Sequence, residues 1–279
     1  METRSPLSIT FTLAMTDKPR DLTWLDWATG PILSADGKTM VSSESGEGAS
    51  GKSVVYIRGT DGAPAVRLGD GGPQSISPDG KWVAVDDAYS PKSPIVLLPT
   101  RAGNPLPLNT GALILGRSSG WLPDSRHIVF SASTEGHKPR VFVLDIQGGE
   151  PKPVTPEGFF GSLVTPDGSA VLVSDGEKGW LWRLSGGTGK PLPFGPKEYA
   201  VLGFAATPHT AYVRKLSENA RVYRIDLETG RTELWREIPV TDPAGLVAIG
   251  SLRITPDGES VAFQIRRDLS ELYRVEGLR

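Results

Sequence analysis

Apolar and polar positions alternate along this chain in short stretches, and the stretches return at a nearly constant distance. Val83 and Val85, Ile128 and Phe130, Val171 and Val173, and Val261 and Phe263 are each spaced by two, the period of a β-strand whose successive side chains point to opposite faces. Each strand starts just after one recurring four-residue phrase. The copies are Ser34-Ala35-Asp36-Gly37, Ser77-Pro78-Asp79-Gly80, Leu122-Pro123-Asp124-Ser125, Thr165-Pro166-Asp167-Gly168, Thr207-Pro208-His209-Thr210 and Thr255-Pro256-Asp257-Gly258. Their third positions are separated by 43, 45, 43, 42 and 48 residues, against roughly 40–45 for one four-stranded propeller blade. No long segment carries apolar residues at helical spacing between caps, so an α/β fold has no crossover helices to draw on.

The phrase has the chemistry of a tight turn. Proline presets the backbone at its second position, aspartate suits the third, glycine relieves crowding at the fourth, and the leading Ser or Thr caps it. On this reading Asp36, Gly37, Asp79, Gly80, Asp124, Asp167, Gly168, Asp257 and Gly258 are structural turn residues rather than a ring of functional carboxylates. Third strands are expected at Val54–Ile57, Ile95–Leu98, Val141–Leu144, Trp180–Trp182, Val222–Ile225 and Leu272–Val275. Short fourth segments are expected at Val66–Leu68, Leu106–Leu108, Lys152–Val154, Leu192–Phe194 and Glu233–Trp235. The pattern therefore predicts an all-β, six-bladed propeller of four-stranded antiparallel blades, a single domain over residues 21–279. Closure is expected through Asp21–Trp24, which resembles the fourth strand that the last unit lacks. Residues 1–20 form an N-terminal extension or extra edge strand, because Ile9, Phe11 and Leu13 duplicate the third strand of that unit. Either they are such an edge or tail, or the chain is a piece of a longer repeat protein.

Composition narrows the function. Lys and Arg number 30 against 32 Asp and Glu, for a formal charge of −2, which gives no positive field for a nucleic acid. Cysteine is absent, which removes disulfides, thiolate metal sites and cysteine nucleophiles together. No apolar run approaches the roughly 18 residues of a membrane span, and Met1–Lys18 lacks the layout of a secretory signal.

The Ser/Thr-Pro-Asp-Gly turns, the Val261-Ala262-Phe263 strand, and Phe142–Asp145 followed by Gly148-Gly149 resemble the repeats of TolB-like (WD-repeat-like) propellers over nearly the whole chain. Arg20–Trp27, Leu33–Lys38, Thr60–Gly69, Arg221–Asp226 and Leu269–Leu278 are similar, more narrowly, to the C-terminal propeller region of bacterial membrane-anchored serine/threonine protein kinases. That resemblance implies a sensor or interaction role, outside the cytoplasm if the chain belongs to such a kinase and otherwise in it. It implies no activity, since the Val-Ala-Ile-Lys, His-Arg-Asp and Asp-Phe-Gly signatures of a kinase are missing.

Other motifs have plainer readings. Gly46–Gly51 fits a dinucleotide pattern but precedes a strand instead of a helix. Gly116–Gly120 fits a nucleophile elbow but leads into a first strand and turn. His127, His137 and His209 share no ligand spacing, and Asp86-Asp87 points to opposite faces of a strand. Five or more of the seven Trp are expected to pack between blades. The first strands, Ile32-Leu33, Ser75-Ile76, Gly120-Trp121, Leu163-Val164, Ala205-Ala206 and Arg253-Ile254, bring mostly small or apolar residues to the central channel, where Arg253 is the one charged candidate. The expectation is a monomeric, non-catalytic module without cofactor, metal or catalytic residue, binding a protein, peptide or small cell-envelope ligand. The alternative is a metal-dependent, lactonase- or hydrolase-like propeller enzyme with its site in the channel.

Overall fold

A computed structural model describes residues 7–13, 19–24, 27–45, 53–86, 90, 92–218, 220–238 and 246–267. Its regular elements are strands: β1 (Leu7–Leu13), β2 (Arg20–Asp21), β3 (Trp27–Leu33), β4 (Thr39–Ser45), β5 (Val54–Gly59), β6 (Val66–Asp70), β7 (Gly72–Ile76), β8 (Trp82–Asp86), β9 (Val96–Pro99), β10 (Leu106–Pro107), β11 (Ile114–Trp121) and β12 (His127–Ser133). They continue with β13 (Arg140–Asp145), β14 (Lys152–Pro153), β15 (Phe160–Val164), β16 (Ala170–Ser174), β17 (Gly179–Arg183), β18 (Lys190–Pro191), β19 (Tyr199–Phe204), β20 (Thr210–Lys215), β21 (Arg221–Asp226), β22 (Thr232–Glu237), β23 (Leu246–Ile254) and β24 (Ser260–Arg267).

The strands build an all-β propeller with four-stranded antiparallel blades, but of five blades and not the six expected. Four sheets are β7–β10, β11–β14, β15–β18 and β19–β22; the fifth is eight-stranded, in the order β23-β24-β1-β3-β4-β5-β6 with β2 paired to β1. The sixth repeat therefore makes no sheet of its own. β1 runs antiparallel to β24 from Leu7↔Arg266 to Leu13↔Ser260, and a parallel bridge at Leu7↔Trp27 joins it to β3. Counting turns counted repeats, whereas the blade count depends on which backbone edges hydrogen-bond, and the sequence does not display that. The third strand expected at Leu272–Val275 lies outside the described residues. The fourth strand expected at Leu192–Phe194 forms earlier, at Lys190–Pro191, and Leu192 and Phe194 instead bury their side chains against the next blade.

Each blade is sandwiched between two neighbours, so the apolar core is divided into slabs. One slab joins Ala84, Ile95, Leu97 and Leu108 to Trp121, Ile128, Phe130, Phe142 and Leu144; another joins Val129, Val141, Val171, Val173 and Trp182. Along β12, Ile128 and Phe130 thus face one neighbour and Val129 the other, and all three are buried. This two-sided burial gives the middle strands their continuous apolar character. The first strands succeed one another, β3 touching β7, β7 touching β11, β11 touching β15, and β19 touching β23, which touches β3. Trp121 and Trp182 are buried, Trp82, Trp180 and Trp235 pack against slabs, and Trp24 is exposed beneath the Arg58 guanidinium.

Neighbouring blades approach closely at the first strands, where a Cβ on Gly120 would run into the Ser162 carbonyl oxygen, and again at several of the repeated turns. Gly37, Gly80, Gly168 and Gly258 all have left-handed backbones, with φ of 67°, 69°, 70° and 77°, and Ser125 takes the same conformation at 57°. Only glycine adopts this region without cost. A Cβ on Gly168 would lie 2.8 Å from Pro123 in the preceding blade, and one on Gly37 would meet Ser260 and Thr255; around Gly80 there is open space. Gly168→Ala should therefore cost about 2–3 kcal/mol and Gly80→Ala about 1 kcal/mol, the difference being the contact with the next blade. Urea unfolding of both variants measures it, and equal losses would mean that the turns do not bear on their neighbours.

Candidate ligand groove and the repeated turns

Within each regular turn the aspartate closes a local network. Ser34, Ser77 and Thr255 donate their hydroxyls to Asp36, Asp79 and Asp257 at 2.6, 2.7 and 2.5 Å. The amides of Lys38, Lys81, Ser169 and Glu259 donate to Asp36, Asp79, Asp167 and Asp257 at 2.9–3.1 Å. The hydroxyl oxygens of Ser34, Ser77, Thr165 and Thr255 in turn accept the amide five residues on, each at 3.0 Å. In the third repeat Leu122 has no hydroxyl, so the His127 amide donates to Asp124 instead, at 3.0 Å, and the His127 ring lies 2.6 Å from the other carboxylate oxygen.

These bonds favour the ionised carboxylate. The Ser34 hydroxyl, helped by the Lys38 amide, holds Asp36 below its usual pKa, and the Thr165 hydroxyl does the same for Asp167. Burial pushes Asp79 and Asp124 up, but hydrogen bonds from Ser77 and Lys81, and from Arg126 and His127, outweigh it and leave both lowered. Beside the third turn, where Asp145 stands opposite His127 across β12 and β13, hydrogen bonding from Arg126 brings Asp145 down to about 2.

The fifth turn breaks the pattern. Elsewhere the amide of the first phrase residue donates to the carbonyl five residues on, as in Ser34–Thr39, Ser77–Trp82, Leu122–His127, Thr165–Ala170 and Thr255–Ser260; here the pair is Ala205–Thr210. The structural turn thus starts at Ala205, two residues before the phrase at Thr207-Pro208-His209-Thr210, and Ala205-Ala206 lie beyond β19 rather than in it. Thr207 stands where the other repeats have aspartate and Pro208 where they have glycine or, in the third, Ser125. Proline cannot take a positive φ, so this turn cannot fold as the others do.

A groove of about 500 Å³ lies beside this turn, bounded by Ala205, Ala206, Thr207 and Thr210, by β21 and β22 residues, and across the gap by Pro256 and Asp257. Its charged walls are Arg224, Asp226, Arg231, Glu233 and Asp257. Asp226 is engaged by its own turn, accepting from the amides of Glu228 and Thr229 at 3.0 and 2.8 Å, and these bonds, with Thr229 first, hold its pKa down. Arg224 stacks 3.8 Å over the Trp235 ring and reaches Glu233 with Nη1 at 3.4 Å. Its Nε is buried without a hydrogen-bond partner, as is the hydroxyl of Tyr212, a fully buried residue of the same wall.

Arg253 lies on β23 and is exposed, yet the surrounding protein pushes its guanidinium below the ordinary value while Nη1 donates to the Leu252 carbonyl at 2.9 Å. Open to water but crowded, it occupies a concave place. The structure does not bring Arg253 together with the turn aspartates, each of which is held in its own blade. His127 and His137 pair with Asp124 and Glu157. Asp86 accepts from Gln74 at 3.0 Å, while Asp87 and Gly46–Gly51 lie outside the described residues. The Gly116–Gly120 segment continues as β11 into Trp121, without an elbow. Among the described residues no three His, Asp or Glu gather as metal ligands, and no helix is long and apolar enough to cross a membrane. Tyr212, Arg224 and Glu233 were not singled out from sequence. The available signal was the departure of the fifth phrase at His209-Thr210.

The fold and its grooves define a propeller-type scaffold of antiparallel blades. No protein-family model matches the chain, and no curated protein matches its sequence. Solved structures do: a protein of Agrobacterium tumefaciens provisionally named TolB has a TM-score of 0.66 at 19% identity, over 96% of this chain and 99% of that one. An oligogalacturonate lyase in complex with manganese has a TM-score of 0.59 at 14% identity, over 91% and 76%. A chain of a nidogen/laminin complex reaches 0.61 at 11%, over 84% and 94%. The chain is thus a TolB-like propeller in fold.

A carboxyl that binds its proton less tightly in the fold than in the unfolded chain adds stability above the unfolded pKa, about 4 for aspartate, and loses it as pH falls through the folded value. Resistance to urea should therefore decline as pH drops below about 4, through the lowered range of Asp36, Asp79, Asp124 and Asp167. Asp167→Asn should be less stable at pH 7 and show a shallower decline. An unchanged acid slope in that variant would disprove the assignment.

Proposed function

We propose that this chain is a non-catalytic binding or sensing module, monomeric in solution, that presents its inter-blade groove and loops to a protein, peptide or small cell-envelope ligand. The observation that carries this reading is a contrast in hydrogen bonding. The repeated aspartates are committed to their own turns, whereas, of the four buried polar atoms without a hydrogen-bond partner among the described residues, the Nε of Arg224 and the hydroxyl of Tyr212 both belong to the groove beside the one turn that lacks an aspartate, the other two being the indole N–H groups of Trp121 and Trp182. A buried donor left unsatisfied costs about 1–3 kcal/mol, and a site that tolerates the cost twice is suited to a ligand that removes it. The resemblance of Arg20–Trp27, Leu33–Lys38, Thr60–Gly69 and Arg221–Asp226 to the propeller region of membrane-anchored serine/threonine kinases supports a sensor role, with catalysis in the associated kinase.

The second reading, a metal-dependent propeller enzyme with a channel site, draws on the likeness in fold to the manganese-bound lyase. Metal analysis and melting curves with added Mn²⁺ and Ca²⁺ separate the two. The module should contain no stoichiometric metal and melt at the same temperature with or without either ion. A bound metal with a cation-dependent rise in melting temperature would establish the enzyme and end the module reading.

A further inference from the structure

We infer that the groove between the fifth blade and the β23–β24 edge binds a free carboxylate of a short peptide, with Arg224 and Tyr212 as its anchors. The inference deepens the binding reading and rests on it. The groove lies beside the irregular fifth turn, with Pro208 in place of the left-handed residue and Thr207 in place of the aspartate; between the second and third blades one turn bonds the other, the Asp79 amide donating to Ser125 Oγ at 3.0 Å. Gly258 packs instead on Tyr212 and Trp235.

The chemistry of the ligand follows from which groups lack partners. The Nε–H of an arginine only donates, so whatever satisfies it presents an acceptor. With Nη1 of Arg224 turned to Glu233, the Nε/Nη2 edge is left, the edge that matches the two oxygens of a carboxylate. Stacking on Trp235 fixes the plane of that fork. The Tyr212 hydroxyl, buried against Gly258 beside Trp235, adds a second unpartnered donor in the same wall. A polyanion does not suit the site, because three carboxylates, Asp226, Glu233 and Asp257, share the lining with Arg224 and Arg231. One carboxylate flanked by donors does suit it: peptide N–H groups or an ammonium can meet Glu233 and Asp257, and the hydroxyls of Thr207, Thr210 and Thr232 can meet peptide polar groups. The volume, about 500 Å³, holds two or three small residues.

The test uses the full chain and titration calorimetry with tri-alanine, its C-terminal amide, and trigalacturonate. Tri-alanine should bind and the amide at least about tenfold more weakly. Arg224→Lys should weaken binding about tenfold or more. Tyr212→Phe should weaken it several-fold while melting at the same temperature or higher, since its hydroxyl makes no bond in the free protein; this variant keeps the test valid should Arg224→Lys fail to fold. Equal binding of acid and amide, preference for trigalacturonate, or no tri-alanine binding up to about 10 mM would each overturn the proposal. Tri-alanine binding undiminished in both variants would reject this groove while leaving the binding module standing, whereas a stoichiometric metal would reject the module itself.

Discussion

The architecture depends on how closely one turn can approach the blade before it. At Gly168 the approach leaves no room for a side chain, and at Gly37 the turn of the first blade leans on Thr255 and Ser260 across the closing sheet. At Gly37, Gly168 and Gly258 the left-handed residue that reverses the chain is thus also one that packs against the neighbouring repeat. Ser125 shows the exception that a small polar side chain permits: it accepts the strained conformation, and its hydroxyl receives the Asp79 amide of the adjacent blade.

That geometry explains how the polar groups are distributed. A carboxylate in each regular turn accepts an amide two residues on, so the sharp reversal leaves few backbone donors unmet between packed blades. The middle strands can then be apolar on both faces and fill the slabs on either side. Where the turn chemistry changes, at Thr207 and Pro208, a groove lies beside the turn, and Tyr212 and Arg224 have unmade hydrogen bonds although Gly258 of the neighbouring turn packs on Tyr212 and Trp235.

Much of this was legible in the chain itself. The two-residue alternation after each phrase identified β8, β12, β16 and β24, and the proline, aspartate and glycine of the phrase identified the hairpins, because both signals are local: they depend on side-chain direction and backbone φ over a few residues. The fifth phrase lies two residues past its turn, since Thr207-Pro208 matches the repeated pattern while the hydrogen bonds of the turn start at Ala205.

What the sequence determined by itself was the strand period, the repeat length and the turn chemistry, all fixed by contacts within one hairpin. Only the tertiary structure decided that the last repeat joins the first through β1 to make five blades rather than six, and that Tyr212, Arg224 and Asp257 share one groove. Both depend on which distant edges and side chains meet, and packing between blades settles that over separations of tens to hundreds of residues where local propensity has no reach.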